Sequence, residues 1–139
     1  MLESAFWEGV EQFNQRQFYE CHDTLEAIWM EAMEPDRTFY QGVLQIAVAL
    51  YHLSNGNGRG ATMLLGEGLR RLGRYTPDYG GVDVDQLVCQ SAAILEALQQ
   101  RGPDQSAALW RSLSTSTPQS PDSPPLDLPV IRPLGRHGS

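Results

Sequence analysis

Residues 39–53 read FYQGVLQIAVALYHL, and this stretch decides the fold. Phe39, Val43, Leu44, Ile46, Ala47, Leu50 and Leu53 recur at three- and four-residue intervals, the period of an α-helix. Nearly every other position is apolar too, which places this helix at the centre of a helical domain. The run is far shorter than the ~20 residues that span a bilayer. Gln41, Gln45, Val48 and His52 fall on one line of the helix, because their spacings are 4, 3 and 4. Unpaired buried polar groups cost about 1–3 kcal/mol each, so this stripe needs partners. Gly42, Ala49 and Gly56 form a second line, of small residues, that invites close approach by another helix.

Working outward from that helix, Pro35 stops the one before it and Asp36 is placed to cap the new one. Phe18, Cys21, Leu25, Ile28, Trp29 and Ala32 make the inner stripe of the preceding helix. Phe6, Trp7, Val10 and Phe13 mark a first helix before it. Downstream, Asn55-Gly56-Asn57-Gly58 breaks the chain. A fourth helix runs from about Arg59 to Arg74, and Thr76 to Asp83 forms a loop. Asp83 or Asp85 caps a fifth helix, which ends at Gly102-Pro103, and a short sixth helix carries Ala108, Leu109, Trp110 and Leu113. Phe13 to Leu25 also lies over Leu53 to Leu65 at a 40-residue offset, each half reading as helix, tight polar turn, small residue, helix. The expectation is an all-α bundle of five or six helices, built from antiparallel helical hairpins, over residues 1–113. Residues 114–139 are a Pro- and Ser-rich tail, expected to be disordered or extended. Within it LDLPVIRPL, residues 126–134, is apolar enough to dock in extended form on the bundle or on a partner.

The chain has 139 residues and a formal net charge of -7. All of that charge sits in residues 1–34, where eight acids (Glu3, Glu8, Glu11, Glu20, Asp23, Glu26, Glu31, Glu34) face one base, Arg16. This balance argues against a general nucleic-acid binder. It reads as a solvated acidic face or as a surface for a basic partner. The bases are all Arg, so Schiff-base chemistry and Lys-dependent phosphate loops are excluded. Cys21 and Cys89 show no metal or disulfide spacing and are expected reduced and at least partly buried. The acidic, amphipathic start is no signal peptide, and a cytoplasmic location is expected, with no membrane partner.

Chemistry-bearing residues gather on the two helices flanking Pro35. His22 and Glu26, four apart, share a face. Antiparallel packing would turn that face toward Gln41, Gln45 and His52. Three readings follow: a hydrogen-bond network that fixes packing, a pocket for a small polar ligand, or a divalent-metal site. In the last, His22, Glu26 and His52 are the ligands, since two His and a carboxylate are a recurring open set. A hydrolase built on it would use Glu20 or Asp23 as base, with Gln41 and Gln45 orienting substrate. His-Glu-x-x-His, paired Glu-x-x-His, Gly-x-Ser-x-Gly and Walker patterns are absent.

The stretch Phe13-Asn14, Phe18-Tyr19-Glu20-Cys21-His22-Asp23, Glu26 and Trp29 resembles the opening signature of a small prokaryotic family, domain of unknown function 309. Phe39 to His52, followed by Gly56-Asn57 and Gly60-Ala61, resembles its second signature, and Tyr79 to Val84 its later loop. The resemblance covers about residues 6–100. It implies an all-helical fold with no established activity. It also implies that the signature positions fall on Glu20, His22, Asp23, Glu26, Gln41, Gln45, His52 and Asn57. Cys21 stands where the family pattern has Ala, and Asp23 where it has Glu. The function expected is a non-enzymatic module that binds a protein partner or a small polar ligand, on a surface of the first two helices near Trp7 and Trp29. Self-association is a further expectation, and no resident cofactor is expected beyond a divalent metal in the hydrolase alternative.

Overall fold

The computed structural model describes residues 2–115 and 126–134. Its elements are α1 (Ser4–Asn14), α2 (Phe18–Glu31), α3 (Asp36–Ser54), α4 (Gly58–Leu72), β1 (Asp78–Tyr79), β2 (Val82–Asp83), α5 (Val84–Arg101) and α6 (Ser106–Thr115). The all-α expectation holds, with one small addition. Strands β1 and β2 pair antiparallel, Asp78 opposite Asp83 and Tyr79 opposite Val82. The turn needs positive φ at both central residues, and Gly80 (57°) and Gly81 (87°) supply it.

Helix α3 is the central rod, as its composition demands. Phe39, Val43, Ile46, Ala47, Ala49, Leu50 and Leu53 are each 0% exposed. Helices α2 and α4 pack on α3, α1 packs on α2, and α5 packs on α4. The small residues on α3 and α4 let their backbones close up. A Cβ at Gly42 would stand 2.9 Å from Leu72 side-chain carbons, and one at Gly68 would stand 3.0 Å from the Gly42 carbonyl oxygen.

The 40-residue repeat is visible in space. Helices α1 and α2 are joined across residues 15–17, and α3 and α4 across residues 55–57. Each turn places a left-handed residue at the equivalent position, Arg16 (φ 67°) and Gly56 (φ 78°). Phe13 and Leu53, Cys21 and Ala61, and Leu25 and Leu65 are matched pairs, all 0% exposed.

Three local readings need correction. Asp36 does not cap α3: Pro35 occupies the cap with no side-chain bond. Glu34 instead accepts from the Thr38 backbone N–H at 2.8 Å, and Asp36 accepts the Tyr79 hydroxyl. A carboxylate just before the helix reaches the first-turn donors as well as the cap residue does. Cys21 is buried as expected, but Cys89 is exposed. The inner stripe of α5 is Leu87, Ser91, Ile94 and Leu98, and Cys89 lies two residues, or 200°, from Leu87. The loop before α5 contains the hairpin, whose two-residue strands are too short for any alternation to show.

The expected disorder from residue 114 onward falls largely on residues 116–125 and 135–139, which lie outside the described residues. Residues 126–134 are extended and lie on the bundle, where Leu128 (5%) and Ile131 (0%) are buried. No helix among the described residues is long and apolar enough to cross a membrane.

Candidate functional site

The eight signature positions divide into two groups. Those on α3 and at the start of α4 serve the second hairpin. Gln45 Oε1 accepts from the Arg71 guanidinium of α4 at 3.2 Å. Arg71 also lies 3.9 Å from Glu67. The Asn57 backbone N–H donates to the His52 carbonyl at 2.8 Å, and its side-chain Oδ1 accepts from Gly60 N–H at 3.0 Å, capping α4. Its amide nitrogen lies 3.4 Å from His52 Nδ1. A Cβ on Gly60 would come within 3.1 Å of the His52 ring. His52, Asn57 and Gly60 therefore form one fitted corner between the helices. Gln41 and Gln45 are half-buried, on the outer rim of α3.

The α2 group faces outward. His22 Nδ1 lies 3.3 Å from Asp23 Oδ1, and His22 Nε2 lies 3.4 Å from Glu26 Oε2. Only a doubly protonated imidazole donates at both nitrogens. The His22 side chain is 31% exposed, Asp23 63% and Glu26 48%. Glu20 is exposed in the first turn of α2, where a negative charge suits the helix dipole. At 100° per residue, Tyr19, His22, Asp23, Glu26 and Met30 all lie along one side of α2. Tyr19 (54%) and Met30 (66%) are among the most exposed large apolar side chains of the molecule. At the far end Trp29 carries the Arg37 guanidinium 4.8 Å from its ring centroid. Its indole nitrogen is buried without a hydrogen-bond partner among the described residues.

The expected meeting of His22 and Glu26 with Gln41, Gln45 and His52 does not take this form. Tyr19 and Tyr51 stand between the two His: their rings are 5.6 Å apart, with His22 6.1 Å from Tyr19 and His52 6.3 Å from Tyr51. Gln45 turns to Arg71 on α4, away from α2. The reason is the width of the apolar face of α3: the polar stripe is left at its edge, beside α4, where Arg71 and solvent satisfy it. Among the described residues no group of three His, Cys, Asp or Glu side chains comes together as a metal-binding set. The trio His22, Glu26 and His52 is thus not assembled, and the hydrolase reading loses its geometric basis. Sequence reasoning missed Tyr51 and Arg71. Tyr51 was hidden as one more apolar position of α3, and Arg71 as one more charge on α4.

A second polar feature lies at the other end of the core. Phe39, Tyr75 and Tyr79 pack ring to ring at 4.7–5.2 Å. Tyr75 donates to the Pro35 carbonyl at 2.7 Å and Tyr79 donates to Asp36. Burial raises the pKa of both phenols, and for Tyr79 the Asp36 carboxylate adds to the effect. Burial likewise pushes the Cys21 thiol up to about 12, so it is no nucleophile at neutral pH. The pair tethers the loop and hairpin to the start of α3.

The fold and its exposed α2 face define a small helical-hairpin domain. Residues 6–64 match the family model described as Domain of unknown function (DUF309), which bears out the resemblance read from the sequence. The match spans α1 to the middle of α4, so the later loop lies beyond it. Among curated proteins, the "Uncharacterized protein YpuF" of Bacillus subtilis (strain 168) is 39% identical over 74 residues, which is 52% of this chain and 42% of that protein. The chain thus aligns with less than half of that relative. No solved structure matches.

Proposed function

We propose that this domain is a non-enzymatic binding module whose outer α2 face receives a basic, amphipathic helix from a protein partner. The observation that carries this reading is the difference in charge between equivalent faces of the two hairpins. Positions 19, 22, 23, 26 and 30 of α2 correspond, at the 40-residue offset, to Arg59, Thr62, Met63, Gly66 and Arg70 of α4. On that α4 face Arg59, Met63 (60%) and Arg70 are exposed as well, beside a depression of about 390 Å³ that Leu98 and Gln99 of α5 help to line, so the α4 face is open and basic. Helix α2 packs on α1 and α3, and its equivalent face stays exposed.

The charge names the partner's sign. All eight acids of residues 1–34 are exposed, and among the described residues no ion pair joins them to the Arg side chains of α4. Tyr19 and Met30 supply apolar contact within the acidic strip, as helix-in-groove recognition requires. A cytoplasmic setting is part of this proposal, since reduced Cys21 and an acidic surface suit it.

The test is calorimetric titration with a synthetic amphipathic Arg/Leu helix and a scrambled peptide of the same composition. The expected result is tighter binding of the amphipathic peptide, weakened by salt and lost in the Tyr19→Ala/Glu26→Gln double variant. Equal binding of both peptides would reduce the face to a nonspecific acidic surface.

A further inference from the structure

The segment that lies on the bundle after residue 125 is held in an unusual way. Asn14, the last residue of α1, grips both backbone groups of Ile131: its Nδ2 donates to the Ile131 carbonyl at 2.9 Å, and its Oδ1 accepts the Ile131 N–H at 2.8 Å. Gln90 of α5 accepts the Val130 N–H at 3.0 Å. Strand β2 and its turn complete the seat, with Asp83 N–H donating to the Arg132 carbonyl at 2.9 Å and Leu134 N–H donating to the Gly81 carbonyl at 2.8 Å. Val82 and Pro133 form a β-bridge. Pro129 and Pro133 carry no N–H, so they cost the seat no donor. Every one of these bonds goes to main chain, and any extended chain offers the same groups. Sequence is read through the buried Leu128 and Ile131, three residues apart, and the buried Pro129 between them, with Leu126 partly buried. This is the pattern of β-strand addition, in which main-chain bonds hold a peptide and pockets select its side chains. Asn14 belongs to the Phe13-Asn14 element of the family signature, whereas residues 126–134 lie beyond the residues that the family model matches. Asn14 thus lies within the matched residues, whereas Gly81, Asp83, Gln90 and the occupant lie beyond them.

We infer that the cleft between the end of α1, α5 and β2 is a peptide-binding groove. Residues 128–134 fill it as a ligand in cis, and an extended partner peptide with two aliphatic side chains three residues apart around a proline displaces them. The inference is independent of the α2 face. The segment belongs to the same chain as the groove, so its binding is intramolecular and a peptide in trans competes against a covalently linked ligand. A peptide in trans therefore competes poorly until the cis ligand is weakened.

The experiment uses full-length protein and a fluorescent nonapeptide LDLPVIRPL, read by anisotropy. Ile131→Asp should release the tail, because a carboxylate cannot occupy an apolar pocket unpaired. The nonapeptide should then bind the I131D chain about 100-fold tighter than wild type, and adding Asn14→Ala should remove that gain. If I131D stays helical and fails to bind the peptide, the inference is overturned. If I131D loses its helical circular dichroism, a wild-type chain with a protease site within 116–125 is cleaved instead. Exchange of its C-terminal fragment for the labelled peptide supports the groove, and failure to exchange shows an integral part of the core. A wild-type mass twice that of the chain, reverting to one copy in I131D, would overturn the partner-peptide assignment in favour of tail swapping between copies.

Discussion

The two hairpins share one plan and differ in the charge of their outer faces, acidic on α2 and basic on α4. In the second, α3 and α4 close to contact through Gly42 and Gly68, Arg71 bonds Gln45, and α5 packs against α4. In the first, Gly9 gives α1 and α2 a similar approach, since a Cβ there would stand 2.9 Å from Leu25. The outer face of α2 then remains open, with carboxylates and two large apolar side chains in water. A shared backbone thus carries one hairpin with an exposed basic face and one with an exposed acidic face. The family signature covers both, so signature membership alone does not mark a residue as functional.

The sharpest way to break this comparison is to remove material from the second hairpin. Leu50→Ala, at a fully buried site on α3, should lower unfolding free energy by about 2–5 kcal/mol in urea denaturation. Adding material should hurt less: Gly68→Ala pushes a Cβ to 2.8 Å from Ile46 Cδ1 and should cost about 1–3 kcal/mol. Asn57→Ala removes the α4 cap and should cost about 1 kcal/mol, leaving peptide binding at α2 unchanged. At the other extreme, Tyr19→Ala and Glu26→Gln should each change stability by less than about 0.5 kcal/mol while weakening binding of the amphipathic helix. A large stability loss in either would show that the α2 face is structural too.

Alkaline pH probes the shared core. The Tyr40, Tyr75 and Tyr79 phenols are raised above their ordinary value of 10.0, and the Cys21 thiol from 9.0 to about 12. A raised folded-state pKa leaves stability whole below the ordinary value and removes it as pH rises toward the folded-state value. Melting temperature should therefore be insensitive to these groups at neutral pH and fall steadily above about pH 9. A level melting curve up to pH 11 would refute their burial.

Much of the fold was legible in the sequence because helical period, Pro35, the Asn-Gly turn and Gly102-Pro103 are local signals. Even the pseudo-repeat could be read from Phe13, Cys21 and Leu25 against Leu53, Ala61 and Leu65. The candidate site was legible only as a set of residues. His22 and Glu26 on one face follow from spacing alone. Which side of α3 met them did not, because a helix apolar nearly all round has no unique inward direction. Arg71 resolved that choice by taking Gln45, and the two Tyr rings filled the space between the His side chains.

The sequence by itself determined the helices, their hairpin pairing and the acidic first quarter of the chain, since each rests on residues close along the backbone. Only the tertiary structure decided that Gln45 turns to α4, that α2 keeps a bare face, and that Ile131 returns across 117 positions to Asn14. Those outcomes depend on how rods of similar apolarity share one core, and no short window of sequence carries that information.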